Sequence, residues 1–184
     1  MKKKEILKEL LSTAIYLLGA LLAAWLFVTF IAQRTVVDGE SMMPYLQDKN
    51  QLFVDKITYR FSDPKRFDII VFPPRNEEKG VNYIKRIIGL PGESVQILPD
   101  GTIMIDGQEL EENYGAEIIL PERIGIAAET IYLGEDEYFV MGDNRNHSAD
   151  SRLPYIGNIK RDEIIGRAWI RIWPLSEFGF IKHK

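Results

Sequence analysis

The sequence contains no cysteine, which excludes disulfides, thiolate metal sites and a cysteine nucleophile. Histidine is almost missing as well. His147 and His183 are the only two, so chemistry that needs an imidazole base has few places to find one. Positive charge is in deficit, with a formal net charge of −4, and this gives no broad electrostatic case for a nucleic-acid partner. Beyond residue 35 there is no long helical pattern, repeat or low-complexity segment. No cluster of His, Asp and Glu has metal-ligand spacing, so no metal or other cofactor is expected.

The long apolar run lies at the start of the chain. MKKKEILKE leans basic, and from Leu10 to Gln33 no residue carries charge. The nineteen residues from Ala14 to Ala32 would span roughly 28 Å as a helix, close to the ~30 Å hydrocarbon core of a bilayer. A soluble core helix with no polar face would need a larger protein to hide it. A cleavable signal peptide has a shorter apolar region and a small-x-small exit, and IAQRTVVDG offers no convincing one. The expectation is an uncleaved anchor in a lipid bilayer. Lys2, Lys3, Lys4 and Lys8 outnumber the basic residues soon after the span, Arg34 and Lys49. The excess sets the N-terminus in the cytoplasm. The expected division is a cytoplasmic N-terminus (1–12), a transmembrane anchor (13–33) and an extracytoplasmic β-rich domain (34–184), in a single-pass protein of the cell membrane.

After residue 35 the hydrophobic period becomes two, with turn signals at short intervals. QLFVDKITY, FDIIVFPP and VNYIKRIIG read as strands, and EYFVMGD and RAWIRIWPL supply later ones. Within SVQILPDGTIMIDGQEL, Asp100-Gly101 and Asp106-Gly107 mark hairpin turns. The acidic stretch from Glu109 to Glu122 reads as a solvated loop without a function. The fold class is an all-β catalytic domain with one N-terminal transmembrane helix.

One stretch, VVDGESMMPYLQDKN, sets a serine, Ser41, between Gly39-Glu40 and Met42-Met43-Pro44. A serine hydroxyl needs a base. His147, inside GDNRNHSADSR, could form a triad with Asp143 or Asp150, but a loop this polar usually leaves a histidine solvated. Lys85 is the stronger candidate. In VNYIKRIIG, alternation places Tyr83, Lys85 and Ile87 on one face and Ile84, Arg86 and Ile88 on the other. An aromatic and a β-branched aliphatic therefore flank the lysine, and burial disfavours the ammonium. Moving a lysine from about 10.4 to about 8 costs roughly 3 kcal/mol, within what burial imposes. A snorkelling surface lysine is the competing reading of this strand alone.

The N-terminal apolar run, GESMMPYL, FDIIVF followed by YIKRIIGLPGE, and GDNRNHSADSR occur in that order. Together they resemble the bacterial type I signal peptidases, membrane-anchored serine proteases with a Ser–Lys dyad and a β-rich fold of their own. The resemblance implies Ser41 as nucleophile and Lys85 as general base. Ser148 would orient the lysine amine by a hydrogen bond, and Asp150 and Arg152, with Asp143 and Arg145, would brace the site. A carboxylate touching Lys85 would spoil it as a base, so these aspartates are better paired with arginines.

Some members carry a serine two residues before the nucleophile as an oxyanion donor. Here that position is Gly39, so the backbone N–H groups of Ser41 and Gly39 are left for the task. Tyr45 stands where the family usually has threonine. The resemblance places Val37, Met42, Leu46, Tyr83 and Ile84 near pockets for the small side chains of a signal peptide, although each could be ordinary core. Asp38 and Asn82 would pair with the extended substrate. The implied partners are the signal peptides of exported preproteins, met by an enzyme working as a monomer. Two rival readings are a repressor-type Ser–Lys autoprotease and a catalytically silent, membrane-tethered binding homologue.

Overall fold

A computed structural model describes residues 2–26, 32–75, 81–115 and 117–183. The chain opens with one long helix, α1 (Lys2–Leu26), whose Lys4–Leu26 portion is long and apolar enough to cross a membrane, with none of it buried against the rest of the chain. The helix therefore begins well before residue 13. Ala32 and Gln33, expected at the end of the anchor, belong instead to β1 (Ala32–Val36). Ala32 is fully buried and pairs with Asp55, which draws it into the sheet. Residues 27–31 of the expected span lie outside the described residues.

The remainder is mostly β. A main sheet runs in the order β1, β2 (Gln51–Asp55), β11 (Gly166–Trp173), β3 (Ile69–Phe72), β4 (Tyr83–Gly89), β9 (Glu137–Met141) and β10 (Ile159–Lys160). A short β12 (Gly179–Phe180) pairs with β11. Every pairing in this sheet is antiparallel. The expected strand from Gln51 is cut at Asp55, whose carboxylate accepts the N–H groups of Ile57 and Thr58 and starts the single turn α2 (Thr58–Phe61).

A smaller sheet orders β7 (Gln108–Glu109), β6 (Ile103–Ile105), β5 (Ser94–Ile97) and β8 (Ile131–Tyr132). The turn between β6 and β7 is the pair Asp106 and Gly107, at φ 51° and 75°. Positive φ at both central residues is what a two-residue hairpin needs to match strand twist.

Both faces of β3 are covered, which explains its unbroken apolar run. Ile69 and Val71 feed one core with Ile84, Met42 and Leu46. Ile70 and Phe72 feed another with Tyr138 and Ile87, against which Tyr83 packs. A third core joins the small sheet to Ile88, Phe139 and Met141. In β4, Tyr83 and Ile87 thus face one core and Ile84 the other, as period-two alternation requires.

Candidate active site

Ser41 sits at the head of a turn that the fold holds at both ends. Beyond β1, the Val37 N–H donates to the Asn50 carbonyl at 2.8 Å and the Lys49 N–H to the Val37 carbonyl at 2.9 Å. The chain reverses through Gly39 at φ +86°. The Met43 N–H then donates to the Glu40 carbonyl at 3.0 Å, and the Leu46 N–H to the Met42 carbonyl at 2.9 Å. Met42 and Leu46 are fully buried, so apolar packing fixes the turn from below while Ser41 stays half-buried above it.

The Gly39 N–H is already engaged. It donates to the Asp48 carboxylate at 2.8 Å, and that bond is the largest influence holding the Asp48 carboxyl below its ordinary range. The N–H expected from the sequence as a second oxyanion donor is thus occupied by a side chain in this structure. The Ser41 N–H, by contrast, has no acceptor among the described residues. Lys49 pairs with Asp38 and stands 3.4 Å from Asp48, tying the two ends of this loop together.

Lys85 approaches from β4. Its Nζ lies 2.8 Å from Ser41 Oγ and 3.0 Å from the Ile84 carbonyl oxygen, and 5.0 Å from the centre of the Tyr83 ring. The residue is only 4% exposed. A cavity of about 190 Å³ opens here, lined by Val37, Asp38, Ser41, Met42, Asn82, Tyr83, Ile84, Lys85 and Ala149. Leu46, expected among the pocket residues, is core beneath the turn and does not line it. Ala149 does, and was missed. Its place between Ser148 and Asp150 was the available signal.

The loop that follows β9 closes the site from behind. Gly142 matters for its missing side chain: a Cβ there would meet Ser148 Oγ at 2.3 Å and the Ser41 carbonyl oxygen at 2.4 Å. Ser148 Oγ is buried against this glycine and makes no hydrogen bond among the described residues. The expected bond from Ser148 to the lysine amine is not formed. His147 is exposed and its ring makes no hydrogen bond among the described residues.

The carboxylates are paired with arginines, but not all within the motif. Asp150 binds Arg152 through two bonds of 2.8 Å and accepts the Gly142 N–H at 3.0 Å. Asp143 binds Arg86, on β4, at 2.8 and 2.7 Å, both side chains fully buried. Burial pushes the Asp143 carboxyl up from its ordinary value, and the Arg86 guanidinium opposes it. Arg145 instead binds Glu112, from the acidic stretch read as solvated.

That stretch is therefore partly structural. Asn146 donates to Glu117 at 3.0 Å, and the Tyr114 ring lies 3.8 Å from the Arg86 guanidinium. Tyr45 stacks on the other approaches, 5.4 Å from the Arg86 guanidinium and 5.9 Å from that of Arg171. Among the described residues no three His, Asp or Glu side chains gather to hold a metal ion.

The family described as "Signal peptidase, peptidase S26" matches residues 10–173. The signal peptidase I of Leptolyngbya laminosa is 43% identical over 157 residues, covering 82% of this chain and 73% of that protein. A probable signal peptidase I-2 of Synechocystis sp. is 39% identical over 163 residues, 83% of this chain and 68% of its own. Signal peptidase I P of Bacillus subtilis subsp. natto is 34% identical over 175 residues, covering 90% of each.

Proposed function

The chain belongs to the signal peptidase family, peptidase S26, a serine endopeptidase family, and on that premise we propose that Ser41 and Lys85 are its catalytic dyad in a membrane-tethered enzyme that removes signal peptides from exported preproteins. The observation that carries this is the 2.8 Å separation of Ser41 Oγ and Lys85 Nζ at a lysine 4% exposed. A base must lie within hydrogen-bond reach of the proton it takes, and this one does.

In the proposed reaction, neutral Lys85 accepts the Ser41 hydroxyl proton as Oγ bonds to the scissile carbonyl carbon. The carbonyl oxygen becomes an oxyanion and accepts the Ser41 N–H. Collapse breaks the peptide C–N bond, and the departing amine takes the proton from Lys85. Water then repeats the sequence on the acyl-enzyme with Lys85 again as base, releasing the peptide carboxylate and restoring Ser41.

Three carboxylates around the site are committed to Arg86, Arg152 and Arg145. Asp143, Arg145, Asp150 and Arg152 then act as a frame, and Ser148 as packing against Gly142. Val37, Met42, Tyr83 and Ile84 supply the walls that would admit small side chains and exclude large ones, and Asp38 and Asn82 line the same cleft.

The exposed apolar surface of α1, with Leu18 at 70% and Leu7 at 67%, supports a helix in lipid rather than against protein. The early lysines support a cytoplasmic N-terminus and an extracytoplasmic catalytic domain. Ser41 stands five positions beyond β1, which suits an enzyme meeting its substrate near the bilayer surface.

The test is cleavage of a purified preprotein by the full chain in detergent. Ser41→Ala and Lys85→Ala should each abolish cleavage, and His147→Ala should keep most of it. Strong loss in the histidine variant alone would point back to a triad. An inert wild type would favour a silent, tethered binding homologue.

A further inference from the structure

We propose that Asn144 is a positioning residue that aims the oxyanion-binding N–H of Ser41, an inference that rests on the serine–lysine reading above. Its side-chain Nδ2 donates to the Glu40 carbonyl at 3.1 Å. Its main-chain N–H donates to the Ser41 carbonyl at 3.0 Å. These bonds hold the peptide units on either side of the Ser41 Cα.

The first bond has a geometric consequence. A peptide unit is planar and trans, so its C=O and N–H point in opposite directions. The Glu40 carbonyl and the Ser41 N–H belong to one unit. Fixing the carbonyl toward the loop after β9 therefore turns the N–H away from that loop, where it meets no acceptor among the described residues. An unpaired, fixed donor beside the nucleophile is what a developing oxyanion requires.

The Met43 N–H also donates to the Glu40 carbonyl, at 3.0 Å, but it belongs to the turn and moves with it. Asn144 ties the turn to an outside frame 104 residues away. That frame is rigid, because Asn144 stands between Asp143, locked to Arg86, and Arg145, bound to Glu112. Gly39 offers no substitute donor while Asp48 holds its N–H.

Asn144→Ala removes the side-chain clasp, and the isosteric Asn144→Asp replaces the donor with an acceptor facing a carbonyl. In the preprotein assay with the full chain in detergent, both should lower kcat by about ten- to hundredfold, less than outright loss of a donor. KM should stay within about twofold, the alkaline limb of the pH–rate profile should not move, and Asn144→Asp should be at least as impaired as Asn144→Ala. If the alanine variant fails to fold, as read by its melting temperature, the aspartate isostere decides. Unchanged kcat in the folded variants would overturn the clasp, as would a loss confined to KM. A displaced alkaline limb would overturn it too, by showing that Asn144 acts on Lys85. A wild type that fails to cleave would sink the peptidase reading itself, whereas an active wild type with equally active Asn144 variants would sink only the clasp.

Discussion

Lys85 and Arg86 are adjacent cations on one strand, both almost wholly buried, and what faces each one separates their roles. The Arg86 guanidinium meets Asp143 through two bonds, the Phe67 carbonyl at 3.0 Å, and the rings of Tyr45 and Tyr114. Its role is structural. Removing it leaves a buried carboxylate unpaired, so Arg86→Ala should destabilise the fold by about 3–5 kcal/mol, read as a shift in the urea unfolding midpoint. Lys85 meets a hydroxyl and a carbonyl, and as a base it must shed its proton. Cleavage should therefore rise with pH through a limb above neutrality, and Lys85→Arg, which cannot deprotonate, should be inert. A rate that peaks near pH 6 and falls by pH 8 would contradict this. The burial of Lys85 was open to suspicion because alternation and neighbouring side chains are local, whereas its pairing with Ser41, 44 residues away, came only from the resemblance. The Arg86–Asp143 and Arg145–Glu112 pairs were not legible, since the motif alone offered two acids and two arginines that could have satisfied one another.

Among the elements, the segment after β12 docks by its histidine. The Ile69 N–H donates to His183 Nδ1 at 3.1 Å, so the ring must be neutral at that nitrogen. Burial is the main cause of lowering His183 from 6.5 to about 4. Arg167 and Arg86 add to the lowering, and Asp68, 3.6 Å away, opposes it. A base with a depressed folded-state pKa stabilises fully above its unfolded value and loses that contribution as pH falls through the folded one. The melting temperature should therefore decline between about pH 6.5 and pH 4, and less steeply in His183→Ala. The turn after β9 invites a steric test. Gly142→Ala would press a methyl group into Ser148 Oγ and the Ser41 carbonyl, so cleavage should fall at least tenfold while most of the fold survives, checked by circular dichroism beside the assay. Elements with local signals were readable, such as the Asp106-Gly107 hairpin and the buried β3 run. Ala32 and Gln33, the first residues of β1, were assigned to the apolar anchor because both continue its uncharged run; only the pairing of Ala32 with Asp55 and of Gln33 with Val54 marks them as strand.

At the scale of the whole molecule, α1 presents apolar side chains outward along its length. The full chain should stay with the membrane pellet after alkaline carbonate washing; release into the supernatant would argue against a span. The sheet order carries a further consequence. β1 and β2 frame the turn with Ser41, while β3 and β4 carry Lys85, and the strand between these pairs is β11, which hydrogen-bonds to both β2 and β3. β11 spans Gly166–Trp173 and follows both pairs in sequence. The two halves of the reactive centre are thus joined in the sheet by this later strand, so a change that loosens β11, far along the chain from either residue, should cost cleavage by parting Ser41 from Lys85.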